Sequence, residues 1–278
     1  MDRVTEGKMD WIEETFLVKK PAIGMIHLLP LPSAPHYDAQ GGMEKILKQA
    51  QADLNALQDG GIDGVMFCNE HDRPYSLKAD CAIVAAMAYV IGKLKDIIRL
   101  PFGVDVLWDP NAALAVAHAT GASFVREIFT GVYASDMGLW NTDVGGAMRY
   151  KRFIGADRVR VLYNINAEFA GPLADRPLDT VARSVVFSSI PDGICISGMM
   201  TGQPVQIEDL QLVRENVKPV PVFINTGARR ENIAQLICNA DGVIVGSSLK
   251  VDGKTWNSVD PERVKTFMSA LIEAREAE

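Results

Sequence analysis

Eight short, almost continuously apolar runs recur along the chain, at 22–29, 64–69, 102–107, 124–129, 158–165, 193–197, 221–225 and 242–245. A strand covered on both faces has no polar side to alternate with, so such runs indicate parallel strands packed beneath helices. The segments between them supply those helices, at 43–58, 79–94, 111–119, 179–188, 207–217 and 232–239. The first sets Ile46, Leu47, Ala50, Leu54 and Leu57 on one face and ends at Gly60-Gly61. The last helix announces its start, with Asp260 as N-cap, Pro261 in the first helical position and Glu262 after it. The segment 142–154 has a lower helix preference because Gly145-Gly146 lies inside it.

Eight strands, each followed by a helix, in 278 residues predict an α/β fold. The chain 1–278 is expected to be one (β/α)8 TIM-barrel domain with a short N-terminal extension. The alternative, a doubly wound open sheet, usually has fewer strands and often opens on GxGxxG, which is absent. At 48% hydrophobic and 23% charged residues the chain can bury a core without disulfide or zinc staples.

The formal net charge of −7 disfavours nucleic acid and anionic membranes, both of which need concentrated positive charge. The short basic clusters Lys19-Lys20, 149–152 and Arg229-Arg230 read as solvated faces or helix ends. Cys68, Cys81, Cys195 and Cys238 form no CxxC pair, and none lies at zinc-ligand spacing from a histidine. Cys68 and Cys195 sit in apolar runs as expected of buried free thiols, so a reducing, cytoplasmic location is expected. Residues 1–20 mix acidic and basic side chains and do not read as a signal peptide. No run of ~18 apolar residues predicts membrane insertion.

In a barrel, chemistry sits at the C-terminal ends of the strands and in the loops that follow. The ends of the last two strands run into Thr226-Gly227-Ala228 and Gly246-Ser247. Glycine lets backbone approach a ligand, and these two loops form the usual phosphate cradle of such barrels. Ordinary tight turns would have the same composition. Earlier strands end at Glu70, Asp105 and Glu127, carboxylates in or beside apolar runs. Burying a bare carboxylate is costly, so each needs a cation, a partner or substrate hydroxyls. Glu127, Asp105, His27 and Glu70 are the catalytic candidates. If a divalent cation such as Mg2+ is used, Asp105 and Glu127 are its expected ligands. A structural bridge to Arg126 is the competing account of the same carboxylates, and alternation forbids Arg126 and Glu127 from both facing inward. Asn69, Arg126, Asn164, Ser197 and Asn225 are candidates for binding substrate. Lys250 lies past a strand end and no strand contains lysine, which weakens a Schiff-base reading. The loops 30–42 and 131–143 are long enough to cover the site, with Tyr133, Trp140 and Asn141 either touching ligand or packing within the loop.

Several motifs resemble one family throughout. Gly24-Met25-Ile26-His27-Leu28-Leu29-Pro30-Leu31-Pro32 is similar to the opening signature of the BtpA/SgcQ family. So are 61–67 with Asn69-Glu70, and Pro101-Phe102-Gly103-Val104-Asp105-Val106-Leu107-Trp108-Asp109-Pro110. Val125-Arg126-Glu127-Ile128-Phe129-Thr130-Gly131, with Tyr133-Ala134-Ser135-Asp136, resembles the SgcQ branch, and 241–250 resembles the family ending. The resemblance implies a TIM barrel of the phosphate-binding kind. Members are linked with bacterial sugar uptake and metabolism, one is associated with photosystem I biogenesis, and a nucleoside-triphosphatase label has been attached to the branch. The chain contains no GxxxxGK[ST] run to support that label.

Together these features predict an enzyme acting on a small phosphorylated metabolite, a sugar or sugar-acid phosphate, as an isomerase, epimerase or aldolase-type lyase. Two alternatives stand beside it: hydrolysis of a nucleotide or phosphometabolite, and a non-catalytic assembly factor. Barrels of this kind commonly assemble, so a homo-oligomer is expected.

Overall fold

A computed structural model describes residues 10–198 and 200–277. The end residues of the expected 1–278 domain, and the first part of its N-terminal extension, lie outside the described residues. Strands β1 (Ala22–His27), β2 (Gly64–Cys68), β3 (Phe102–Asp105), β4 (Phe124–Glu127), β7 (Arg160–Asn164), β9 (Gly193–Ile196), β10 (Val222–Ile224) and β11 (Gly242–Val245) close into a barrel. All eight neighbouring pairs are parallel, and β11 returns to β1. Helices follow the strands: α2 (Gly42–Asp59), α3 (Cys81–Leu94), α4 (Pro110–Thr120), α5 (Val144–Phe153), α6 (Leu178–Ser189), α7 (Ile207–Val217), α8 (Ile233–Ile237) and α9 (Pro261–Glu276). The α/β barrel expected from the eight apolar runs is the observed fold.

Strand parity sorts side chains into two cores. Ile26, Val65, Phe67, Val104, Val125, Val161 and Ile196 pack outward under the helices. Ile23, Met25, Met66, Cys68, Phe124, Leu162, Cys195, Phe223 and Ile244 fill the barrel. Continuing that parity by two residues places His27, Asp105, Arg126, Asn164, Ser197 and Asn225 on the inward side of the C-terminal end.

Helix starts follow the local sequence. Asp80, Asp109 and Asp260 each accept hydrogen bonds from the first backbone amides of α3, α4 and α9. Asp143 does the same for α5 through Gly146, which offsets the two glycines there. Gly61 takes φ +83°, a left-handed turn after α2.

Two elements go beyond the eight repeats. Helix α1 (Asp10–Phe16) plugs the N-terminal mouth: Trp11 stacks on Phe223, Phe16 leans on Phe124, and Trp11 Nε1 donates to the Asp192 carbonyl. At the opposite mouth β5 (Val132–Ser135), β6 (Gly138–Asn141) and β8 (Ala170–Pro172) form a small antiparallel sheet. Tyr133 packs on Trp140 and Trp140 on Trp108, all three buried, while Asn141 is exposed. The loop aromatics therefore hold the cover together and do not line the cavity below.

Candidate functional site

A cavity of about 610 Å³ opens at the C-terminal ends of the strands. Its wall carries His27 from β1, Glu70 after β2, Arg126 from β4, Glu168 after β7, Thr201–Gln203 after β9 and Asn225–Glu231 after β10, then Gly246–Ser248 after β11. The two glycine-bearing loops and the titratable groups thus share one space.

On the cradle side, Gly227 has φ +71°, and a Cβ there would lie 2.2 Å from the Pro204 nitrogen and 2.3 Å from the Gln203 carbonyl. The loop after β10 consequently packs backbone to backbone on the loop after β9, which only glycine permits. Thr226 ties the same two loops: its hydroxyl accepts from the Gly198 amide at 2.6 Å and donates to the Gln203 carbonyl at 2.9 Å. Ser247 bonds the Thr255 hydroxyl at 2.7 Å, and Ser248 donates to the Ala228 carbonyl at 2.7 Å. The side-chain hydroxyls thus brace these loops against one another. Arg229, Arg230 and Arg263 also line it, and none forms an ion pair among the described residues. The first two read from sequence as a solvated face. Only the fold, by setting the loop after β10 and the start of α9 on one cavity, shows that they border it.

The inner side is a buried charge network. Arg126 Nη2 donates to Asp105 Oδ2 at 2.5 Å, with both side chains buried. Asp105 is thereby the structural bridge to Arg126, and it does not line the cavity. Glu127 shares the parity of Val125, is fully buried, and is also absent from the cavity wall. Burial first, then the neighbouring Asp105, pushes its carboxyl well above the usual range. The pair does not suit Mg2+: Arg126 already neutralises Asp105. Among the described residues no group of three or more His, Cys, Asp and Glu is arranged to hold a metal.

Glu70 does line the cavity, and its carboxyl is pushed up to about 8, chiefly by burial and then by Glu168 and Asp105. Tyr75 donates to its Oε1 at 3.2 Å. Glu168, which the strand pattern did not single out, lies across the site. It accepts from Ser197 Oγ at 3.3 Å and Thr201 Oγ1 at 2.8 Å. Burial raises its pKa, opposed by Arg126 and by those two hydroxyls. Ser197 is a hub behind the wall: its hydroxyl receives Asn164 Nδ2 at 2.9 Å and Asn225 Nδ2 at 2.8 Å while donating to Glu168. Asn225 reaches the cavity, whereas Asn164 and Ser197 do not. Asn69 is likewise a tie, accepting from the Leu107 amide at 2.8 Å and donating to Asp72 at 3.0 Å.

His27 lines the cavity with its Nδ1 buried and unbonded. Burial, then the nearby Lys250 charge, depresses its pKa well below the ordinary value, so its ring is neutral. Lys250 itself is spent in a buried ion pair with Asp53 at 3.0 Å. Trp108 Nε1, Arg126 Nε and Asn225 Oδ1 are also buried without partners, although such atoms in cavity-lining side chains are available to a ligand.

A parallel eight-stranded barrel with a polar cavity at its C-terminal mouth defines the TIM-barrel class. The BtpA family model matches residues 18–273, and the chain belongs to the BtpA family. It is 45% identical to the Escherichia coli K12 sgc region protein SgcQ, over 96% of this chain and 100% of that protein. It is 38% identical to the photosystem I biogenesis protein BtpA of Synechocystis, over 94% of this chain and 91% of that one. Among solved structures, GGGPS from Thermoplasma volcanium superposes with a TM-score of 0.60 at 12% identity, covering 99% of each chain. Phosphoribosyl anthranilate isomerase from Thermococcus kodakaraensis gives 0.55 at 14% identity, covering 91% of this chain and 98% of that one. These likenesses establish the fold.

Proposed function

We propose that this protein is an enzyme acting on a phosphorylated sugar or sugar acid by proton transfer beside a carbonyl, as an isomerase, epimerase or aldolase-type lyase. One observation carries the reading: a single cavity of about 610 Å³ holds the glycine cradle with its arginines at one side and Glu70, Glu168 and His27 at the other. The phosphate is held by backbone at Gly227, Ala228, Gly246 and Ser247, with Arg229, Arg230 and Arg263 supplying charge. Thr226 braces that cradle.

Glu70 and Glu168 divide the proton work. Two hydroxyl donors favour the ionised form of Glu168, while Glu70 keeps its proton to about pH 8. Glu168 takes the proton from the carbon next to the substrate carbonyl. Glu70 gives its proton to the carbonyl oxygen, leaving a neutral enediol. Return of a proton to carbon, with loss of one from oxygen, completes an isomerisation or epimerisation and restores both carboxyls. Neutral His27 and the Trp108 indole N–H face the developing oxygen. Asp105 acts from behind by fixing Arg126, and Glu127 lies buried behind the wall. The names of similar proteins fit unevenly: a structural neighbour is named phosphoribosyl anthranilate isomerase, whereas the relative BtpA is named for photosystem I biogenesis. The converging polar groups in the mouth favour the enzyme.

A homo-oligomer and a cytoplasmic location complete the proposal. Phe153 and Phe187, at 85% and 92% exposure, are apolar side chains that an interface would cover. Among the described residues no helix is long and apolar enough to cross a membrane.

A thermal-shift panel of inorganic phosphate, sugar phosphates, their unphosphorylated parents and nucleotides tests the reading. A ligand at ~100 times its Kd adds about 2.7 kcal/mol, several degrees for a chain of this size. Stabilisation by a sugar phosphate but not by its parent is expected. Stabilisation by no phosphorylated compound would overturn it.

A further inference from the structure

The cavity is electrically polarised along its length. At the cradle end three arginines, Arg229, Arg230 and Arg263, face one carboxylate, Glu231. At the inner end the order is reversed. Glu70 and Glu168 line the wall with Arg126, and the Arg126 charge is already spent on Asp105. Among the described residues lining that end no uncompensated cation remains, because His27 is neutral and the neighbouring Lys250 is paired with Asp53. The same end presents buried polar atoms that lack protein partners: Trp108 Nε1 and Arg126 Nε as donors, Asn225 Oδ1 as an acceptor, and His27 Nδ1. Each of these side chains is at least nine-tenths buried and borders the cavity. Carbonyl and hydroxyl groups satisfy such a mixture, since a hydroxyl both donates and accepts. A second anionic group would instead meet two carboxyls with no free positive charge to offset it.

Resting on the reading of the cradle as the phosphate end, we propose that the site selects substrates whose phosphate is their only anionic group. The opposite end is an uncharged polyhydroxy carbonyl, so the substrate is a sugar phosphate rather than the matching phosphorylated sugar acid. The discrimination grows with pH, because ionisation of Glu70 adds negative charge at the end that would receive the acid.

Calorimetric titration of the full chain at pH 6.5 and 9 tests this. The ligands are aldose phosphates of four to six carbons, the matching aldonate phosphates, the free aldoses and inorganic phosphate. The expected result is aldose phosphate binding at least about ten-fold tighter than its aldonate counterpart, a ratio that widens at pH 9. Glu168→Gln, checked for folding by its melting temperature, is expected to narrow the ratio, which a merely structural loss would leave unchanged. Equal or tighter binding of the aldonate phosphate overturns the inference and leaves the phosphate end intact. Binding of inorganic phosphate with no gain from any aldose phosphate has the same meaning. Failure of every phosphorylated ligand to bind a folded protein overturns the phosphate reading itself, and this inference with it.

Discussion

Glu70 and Glu168 line one cavity and burial raises both carboxyls, but Arg126 and the hydroxyls of Thr201 and Ser197 oppose the rise at Glu168, while the Glu168 charge adds to it at Glu70 and keeps that carboxyl protonated to about pH 8. In the proposed reaction this asymmetry lets one carboxyl take a proton while the other gives one.

The pH behaviour follows from Glu70. Its folded pKa lies above the ordinary value of 4.5, so the folded state binds the extra proton between about 4.5 and 8. Its contribution to stability is therefore complete below 4.5 and lost as pH rises toward 8. Turnover should fall as pH rises through about 8, where the acid is lost. Glu70→Gln should cut kcat by about 10²–10⁴-fold. It should also flatten the decline of Tm between pH 5 and 8, because Gln has no proton to lose. A pH–rate profile and a pH series of melting curves check both.

Ser197 is a positioning residue. Ser197→Ala removes one donor to Glu168 and strands the amides of Asn164 and Asn225. A loss of about 1–3 kcal/mol is expected from the unsatisfied buried donors. On substrate, kcat should fall with KM nearly unchanged, since no cradle contact is touched. Steady-state kinetics beside urea unfolding separates the two effects.

Asp105 and Arg126 should behave as a unit. Asp105→Ala leaves the Arg126 charge buried and should cost about 3–5 kcal/mol, whereas replacing both with apolar residues should recover much of it. A double-mutant cycle by denaturant unfolding measures the coupling.

Gly227→Ala should damage the cradle specifically. The added Cβ would meet rigid backbone at Gln203 and Pro204 at about 2.2–2.3 Å, at φ +71°. Roughly 1–3 kcal/mol of strain is expected, with loss of inorganic phosphate binding. Gly202→Ala is the control: its φ is also positive, at +81°, but its nearest neighbour is 3.8 Å away. Phosphate titration of both variants checks the contrast.

The barrel was legible because buried parallel strands advertise themselves as apolar runs, and Asp260-Pro261 marked the last helix unambiguously. Helix α1 and the β5–β6–β8 sheet were not, because their short segments gain order only from packing on the barrel mouths. In the site, the strand-end rule named His27, Arg126 and Asn225, which line the cavity. It did not separate residues that reach the cavity from those behind it, such as Ser197 and Asn69, because side-chain ties decide that. Glu168 lies beyond the end of β7, in a loop whose course no periodicity reveals. Arg229 and Arg230 come to line the cavity only through loops far apart in sequence.

Solvent-hydrogen exchange tests the proton-transfer claim most directly. The protein is incubated in D2O with each sugar phosphate that binds, and the recovered sugar is read by NMR at the carbon beside the carbonyl. Deuterium there with wild type, and its loss in Glu168→Gln, is the result this account predicts. No deuterium at that carbon from any bound sugar phosphate would contradict it.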